Sequence, residues 1–278
     1  MKAVPPPRRI AVPLNADVLH DQKKPIQSLL NPLLDLAENS DYLIAGSAGE
    51  FAVGAEIFQI PRFIFMGPGG GGDTVRMGIF AAIHGDESEG AEALVEFLQE
   101  LERDPQAARG YHLYIYPLCN PTGFTARTRN NVSDKDLSKD FWRGSSQPEV
   151  YYLEREMGVL RFQGVISVHT QSHSKSFSLN VNSSAILSHA LAKPVIQAAQ
   201  RFPSDVASRS DGDLPPTSSH VVQRDFLTRG CELNTVPFEL HLGIPRRALK
   251  PSQINGTVGA LKAILDSYRA LLSIGQNI

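Results

Sequence analysis

The chain has 278 residues and a mass of 30.4 kDa, longer than a usual domain and short of two, which favours one large α/β domain. With 42% apolar and 20% charged residues it is too hydrophobic for general disorder, and 27 basic against 29 acidic residues leave no overall field for a phosphate backbone or an anionic surface, so neither nucleic acid nor membrane is an expected partner. Its apolar runs are strand-sized where a membrane helix needs about 20 residues, and Cys119 and Cys231 are too few for a disulfide scaffold, which fits a reducing compartment and makes cytoplasm the expected location.

In chain order, Met1–Leu14 places Pro5, Pro6 and Pro7 where an export signal would need a continuous apolar stretch, so residues 1–25 are expected to be a Pro-rich arm and 26–278 a single catalytic domain. The spacing of Leu29, Leu30, Leu33, Leu34 and Ala37 predicts a helix over Ile26–Glu38. Tyr42–Ala45 and Glu56–Phe65 read as an antiparallel pair at a sheet edge, followed by a glycine tract, Gly67–Gly72. That tract lacks the Gly-Lys-Ser/Thr ending of a phosphate loop and is read as a hairpin connection without chemistry.

Met77–Ile83 is continuously apolar, as expected of a strand covered on both faces, and Ala91, Leu94, Val95, Leu98 and Leu101 form one stripe of a helix behind it. Tyr111–Leu118 predicts a strand running into a turn at Asn120–Gly123, and Gly164–Val168 a strand ending at His169. A helix within Val181–Phe202, a loop over Ser210–His220, a strand over Leu233–Leu240 and a helix over Thr257–Ser273 complete the expected order. Strands alternating with helices predict an α/β fold with one mixed, mostly parallel twisted sheet, helices on both faces and ligands at the carboxyl ends of the strands.

His84-Gly85-Asp86-Glu87 offers an imidazole and a carboxylate three positions apart at the mouth of a buried strand. Catalytic zinc takes three protein ligands of N and O type and leaves a fourth position open, and His169, at the end of another apolar strand, is the natural third. On these residues alone, a helix-start pair and a satisfied rim histidine remain the bland alternatives.

The intervening segment is more specific. Asn120-Pro121-Thr122-Gly123, Arg129-Asn130-Asn131 and Asp136-Leu137-Ser138-Lys139-Asp140-Phe141 resemble the turn, arginine and aspartate motifs of the zinc carboxypeptidase (M14) family. With His84, Glu87, His169 and Glu239 the family order of functional residues runs over positions 49–245, and Gly49–Ile57 resembles the entry segment of short bacterial members. A relation to the succinylglutamate desuccinylase/aspartoacylase group, which shares the His-x-x-Glu and distant His, accompanies it.

The resemblance implies one zinc ion held by His84, Glu87 and His169, with Asp136 hydrogen-bonding the first histidine. It implies that Arg129 faces the scissile carbonyl and that Glu239 takes a proton from the attacking water and delivers it to the leaving amine. Ser138-Lys139 stands where the family has Asn-Arg to hold a terminal carboxylate, so a point charge replaces a two-pronged donor. Asp86 occupies a position where digestive members carry arginine, and the family's loop tyrosine has no counterpart, since Tyr268 falls in the last helix; His220 is a possible replacement.

His241, two residues beyond Glu239 on the same strand face, is expected either to touch substrate or to be a structural histidine. His173 reads as a solvated loop residue and Cys119 as a small buried one. The expected function is a zinc-dependent hydrolase of an amide or peptide bond beside a carboxylate, a metallocarboxypeptidase or a peptidoglycan-peptide amidase acting on a small peptide, with an N-acyl amino-acid deacylase of the succinylglutamate desuccinylase/aspartoacylase type or a catalytically silent binding protein as alternatives.

Overall fold

The computed structural model describes residues 24–172, 174–202, 227–228 and 237–275. In chain order these give α1 (Lys24–Asn39), β1 (Leu43–Val53), β2 (Glu56–Met66), β3 (Val75–Ala81), α2 (Ser88–Arg103), β4 (Tyr111–Tyr116), α3 (Pro121–Ala126), α4 (Pro148–Leu160), β5 (Gly164–Gln171), β6 (Ser178–Asn182), α5 (Ala185–Ala199), β7 (Phe238–Pro245) and α6 (Lys250–Gly275), with short 3-10 turns at Pro105–Ala108 and Leu137–Lys139. The expected N-terminal arm, Cys231, the side chain of His173 and the loop carrying His220 lie outside the described residues.

Seven strands form one sheet in the order β1-β2-β4-β3-β5-β7-β6. β4, β3, β5 and β7 are parallel neighbours, flanked by antiparallel β2 and β1 on one side and antiparallel β6 on the other. The sheet is thus mixed and mostly parallel, as the alternation of strands and helices predicts. Its central strands alternate two buried faces: Ile79, Ile166, Val168, Leu240 and Leu242 join one core with α1, α2, α5 and α6, while Phe80, Tyr116 and Val165 join a second with α4. The stripe on α2 buries Ala91, Leu94, Leu98 and Leu101, as its spacing requires.

Several expectations are corrected. The glycine tract is not a hairpin connection, because β4 pairs between β2 and β3 and the tract crosses over it. The Asn120 turn is the start of α3, with Asn120 Oδ1 accepting from the Gly123 amide as a helix cap. β6 and α4 were not foreseen; β6 is only Ser178–Asn182 and abuts α5, so it reads as part of a helix. β7 begins at Phe238 rather than ending at Leu240, a shift that moves Glu239 from the carboxyl end of its strand to the amino end.

Candidate active site

His84 and Glu87 are presented by the turn between β3 and α2. Ala82 adopts a left-handed conformation with φ of 48° just before His84, a local strain of the kind that functional turns carry. Gly85 lets this turn press against α3: a side chain there would place its Cβ 2.0 Å from the Gly123 carbonyl carbon and 2.3 Å from the Phe124 amide nitrogen. Glu87 caps α2, where the positive end of the helix dipole favours a carboxylate. His169 comes from β5, which lies beside β3 in the sheet, so the two strands bring residues far apart in sequence to one rim.

The three side chains are buried and their ligand atoms converge within 4.8 Å of one another. His84 Nδ1 lies 2.7 Å from Glu87 Oε1, and His169 Nδ1 lies 3.2 Å from Glu87 Oε2. Ligands of a tetrahedral zinc at ~2.0–2.1 Å sit roughly 3.3 Å apart, so these separations fit such an ion after small adjustments, and the N, N, O donor set is of the right kind.

The charges are arranged to receive a cation. Burial opposes charge on His84, but hydrogen bonds to Asp136 and Glu87 outweigh it and raise the imidazole to about 9. Burial likewise opposes charge on Glu87, yet His169 and His84 on either side hold its carboxyl well below the usual range. A proton on His84 Nδ1 thus occupies ground that a metal ion can take.

Asp136 stands behind His84, as the resemblance implies. Its Oδ1 lies 3.2 Å from His84 Nε2 and accepts from Ser138 Oγ at 2.7 Å. Its Oδ2 meets Arg129 Nη2 at 3.3 Å and Lys139 Nζ at 2.9 Å. Burial opposes this charge too, but His84, Ser138 and Lys139 keep the carboxyl well below its ordinary range. Arg129 and Lys139 therefore flank the rim, with side chains 52% and 68% exposed. Ser138 is turned inward: its hydroxyl donates to Asp136 and lies 3.3 Å from His84 Nε2.

Behind Arg129 and Asp136 stands a buried network that the motif reading passed over. Asn131 Nδ2 donates to Gln147 Oε1 at 2.8 Å and to Glu149 Oε2 at 3.3 Å, while Asn131 Oδ1 accepts from the Ser133 and Lys135 amides. Thr122 Oγ1 receives the Val132 amide and donates to Glu149 Oε1. The loop carrying both charged residues is thereby fastened to α3 and α4. Glu149 is one of three glutamates on α4, with Glu154 and Glu156, and its local spacing gives no signal of this role.

Glu239 is not brought to the ligand group. In the β5–β7 register it pairs with Val165, whereas His169 pairs with Gly243. Four residues of strand separate the two levels, roughly 13 Å along the axis. Fully buried, the carboxyl accepts the Leu227 amide at 2.6 Å and the Thr228 amide and hydroxyl at 2.8 and 2.6 Å. Burial exceeds the effect of these donors and pushes it up to about 7. His241 is the residue of that strand that reaches the site, with its ring stacked on His169 at 4.5 Å and its Nδ1 3.4 Å from Ser167 Oγ.

Three further residues are accounted for. Asp86 faces Arg246 at 3.7 Å, Tyr268 packs on Phe238 at the other end of the sheet, and Cys119 is buried with its thiol pushed up by desolvation.

Comparison with known proteins agrees with this geometry. Residues 73–176 match the model of the succinylglutamate desuccinylase/aspartoacylase catalytic domain, a span that includes His84, Glu87, Arg129, Asp136 and His169. A stretch of 66 residues is 39% identical to carboxypeptidase SOL1 of Arabidopsis thaliana, covering 21% of this chain and 13% of that protein. Among solved structures, a candidate metallopeptidase of Shewanella amazonensis SB2B superposes with a TM-score of 0.64 at 19% identity over 87% of this chain and 92% of that one. A metallo-carboxypeptidase of Pseudomonas aeruginosa in complex with (2-guanidinoethylmercapto)succinic acid superposes with a TM-score of 0.59 at 14% identity, covering 92% and 70%. Residues 73–176 are thus similar to the succinylglutamate desuccinylase/aspartoacylase catalytic domain, and the chain shares its fold with these metallopeptidases and metallo-carboxypeptidases.

Proposed function

We propose that the protein is a zinc-dependent hydrolase of an amide or peptide bond adjacent to a carboxylate, working in the cytoplasm on a small peptide or an N-acyl amino acid. The observation that carries this reading is the convergence of His84, Glu87 and His169 with Asp136 behind the first histidine. These three residues would hold the ion, whose chemistry is to polarise a carbonyl and to make water nucleophilic at neutral pH. Asp136 fixes the His84 ring by accepting from Nε2–H, so that Nδ1 is the nitrogen left for the metal.

Arg129, at the rim, would stabilise negative charge developing on the carbonyl oxygen. Lys139 supplies a point charge for the substrate carboxylate, using the ammonium that otherwise rests on Asp136. Glu239 we assign to the fold: its two oxygens are used by Leu227 and Thr228, and a base role would require it to leave both and advance along the strand.

The second reading, an N-acyl amino-acid deacylase, is favoured by the match to the succinylglutamate desuccinylase/aspartoacylase domain over the segment that carries the ligands. The succinic acid derivative bound by the Pseudomonas enzyme is consistent with carboxylate recognition under either reading. The test is hydrolysis of matched peptides and N-acyl amino acids by zinc-supplemented protein, with His84→Ala as control. Turnover of peptides alone supports the first reading and of N-acyl amino acids alone the second. Turnover of neither, in protein shown to contain zinc, refutes both.

A further inference from the structure

The face of β5, β7 and β6 that carries His169 stays polar well beyond the histidine. Paired residues share a face, so one ladder runs His169, Gly243, Ser178 and the next Ser167, His241, Asn180. The other face of these strands is aliphatic and fully used in the core.

Alternation accounts for two faces but not for the missing partners on one of them. Asn180 is 6% exposed, yet neither its amide oxygen nor its amide nitrogen is hydrogen-bonded among the described residues. The buried Ser178 Oγ and His169 Nε2 also lack a partner there. Buried polar groups are normally paired, and a side chain that loses water without a replacement destabilises the fold. Four such atoms on two adjacent ladders, beside a metal-ligand histidine, point to a ligand that completes them.

Gly243 keeps the ladder compact, since a side chain at this position would meet Ser178 Oγ at 2.3 Å and the Gln171 amide nitrogen at 2.4 Å. The far end is closed where Leu227 and Thr228 bind Glu239. Apart from the two histidines, the strands of the floor offer no open charge: β5, β6 and β7 contain no Lys, Arg or Asp, and their one carboxyl, Glu239, is engaged.

Resting on the hydrolase reading above, we propose that this ladder receives the substrate side chain next to the cleaved bond, and that it takes an uncharged group with both a donor and an acceptor, a carboxamide such as that of glutamine. Asn180 presents one acceptor and one amino group, which a second carboxamide matches with two parallel hydrogen bonds. An apolar side chain leaves all four atoms desolvated. Among the described residues of these three strands a cation finds no open carboxylate, and an anion finds no Lys or Arg while facing the Asn180 oxygen. Adjacent strands lie ~4.8 Å apart, so Ser178 and Asn180 stand about 10 Å across the sheet from β5, within the combined reach of a glutamine and the Asn180 side chain.

The experiment is calorimetric binding to zinc-supplemented protein of N-acetyl-L-glutamine, N-acetyl-L-methionine, N-acetyl-L-glutamate and N-acetyl-L-lysine. Glutamine is expected to bind at least about tenfold more tightly than its near-isostere methionine. Asn180→Leu should bring that ratio to within about twofold while methionine binding changes little, and it should leave the ligand-free protein at least as resistant to urea as the wild type. Ser178→Ala supplies the same comparison should the leucine variant not fold, with the ratio expected to fall about threefold. Equal binding of glutamine and methionine, a ratio untouched by either variant, or no binding of any of the four overturns the proposal. Because binding is read without turnover, a glutamine preference in a protein that hydrolyses nothing would refute the hydrolase reading and retain the pocket.

Discussion

Replacing Glu239 by glutamine separates a catalytic carboxylate from a buried structural one. An acid whose folded value is raised from 4.5 to about 7 binds more protons folded than unfolded across that window, so its contribution to stability is fully present below pH 4.5 and falls as pH rises through 7. At about 1.4 kcal/mol per pH unit the loss amounts to about 3 kcal/mol. Glu239 is fully buried, so solvent screening does not reduce this figure.

Glutamine does not titrate; its amide oxygen can accept from the Leu227 or the Thr228 amide, and its amino group can donate only to the Thr228 hydroxyl, a fixed loss that does not vary with pH. The stability of Glu239→Gln relative to wild type should therefore rise by about 3 kcal/mol between pH 4.5 and pH 8, whatever its starting value. Urea unfolding of both metal-free proteins at half-unit pH steps measures it, and the difference cancels contributions from His84 and other shared groups. Zinc content should be unchanged and turnover on a confirmed substrate should fall less than about tenfold, since the carboxyl lies four residues of strand away from the level of His169. A flat difference curve, together with a loss in turnover of a hundredfold or more, would refute the placement of Glu239 and restore it as the base.

His84→Ala should abolish zinc binding, checked by elemental analysis of protein prepared without chelator. Asp136→Asn, which leaves His84 Nε2 poorly oriented, should weaken zinc by about 10- to 100-fold in a competition assay with a chromophoric chelator. In metal-free protein, the His84 contribution to stability is fully present below pH 6.5 and is lost as pH rises through about 9, so urea midpoints should fall over that window in wild type and not in His84→Ala. Lys139→Ala should narrow the advantage of an acid substrate over its amide in kcat/KM; an unchanged ratio would place anion recognition elsewhere.

The half of the candidate site formed by His84, Glu87 and His169 was legible because its residues sit in short segments whose neighbours dictate their geometry. An apolar run, a histidine, a glycine and a helix-start glutamate describe a strand, a turn and a helix within one local stretch, and the structure gives that sequence of elements. Asp136 and Arg129 were legible as parts of a motif, though what fastens them was not: Glu149 acts across 18 residues and another helix, through contacts that no spacing pattern encodes.

Strand ends are a different matter. Where β7 starts and stops depends on which backbone groups find partners, and its partner positions on β5 lie 74 residues away, as Ser167 and His241 do. Phe238–Pro245 is apolar enough at alternate positions to be strand throughout, so composition left the register open. Pairing with β5 on one side and β6 on the other settled it. Relative to a register that would pair Glu239 with His169, the observed pairing is displaced by four residues, which keeps every side chain on its original face because the period is two, yet leaves Glu239 at the closed end and brings His241 beside His169. The kinds of groups near the reaction were thus determined by the sequence, and which of them stand within reach of the metal ligands was decided by the hydrogen-bonding of the sheet.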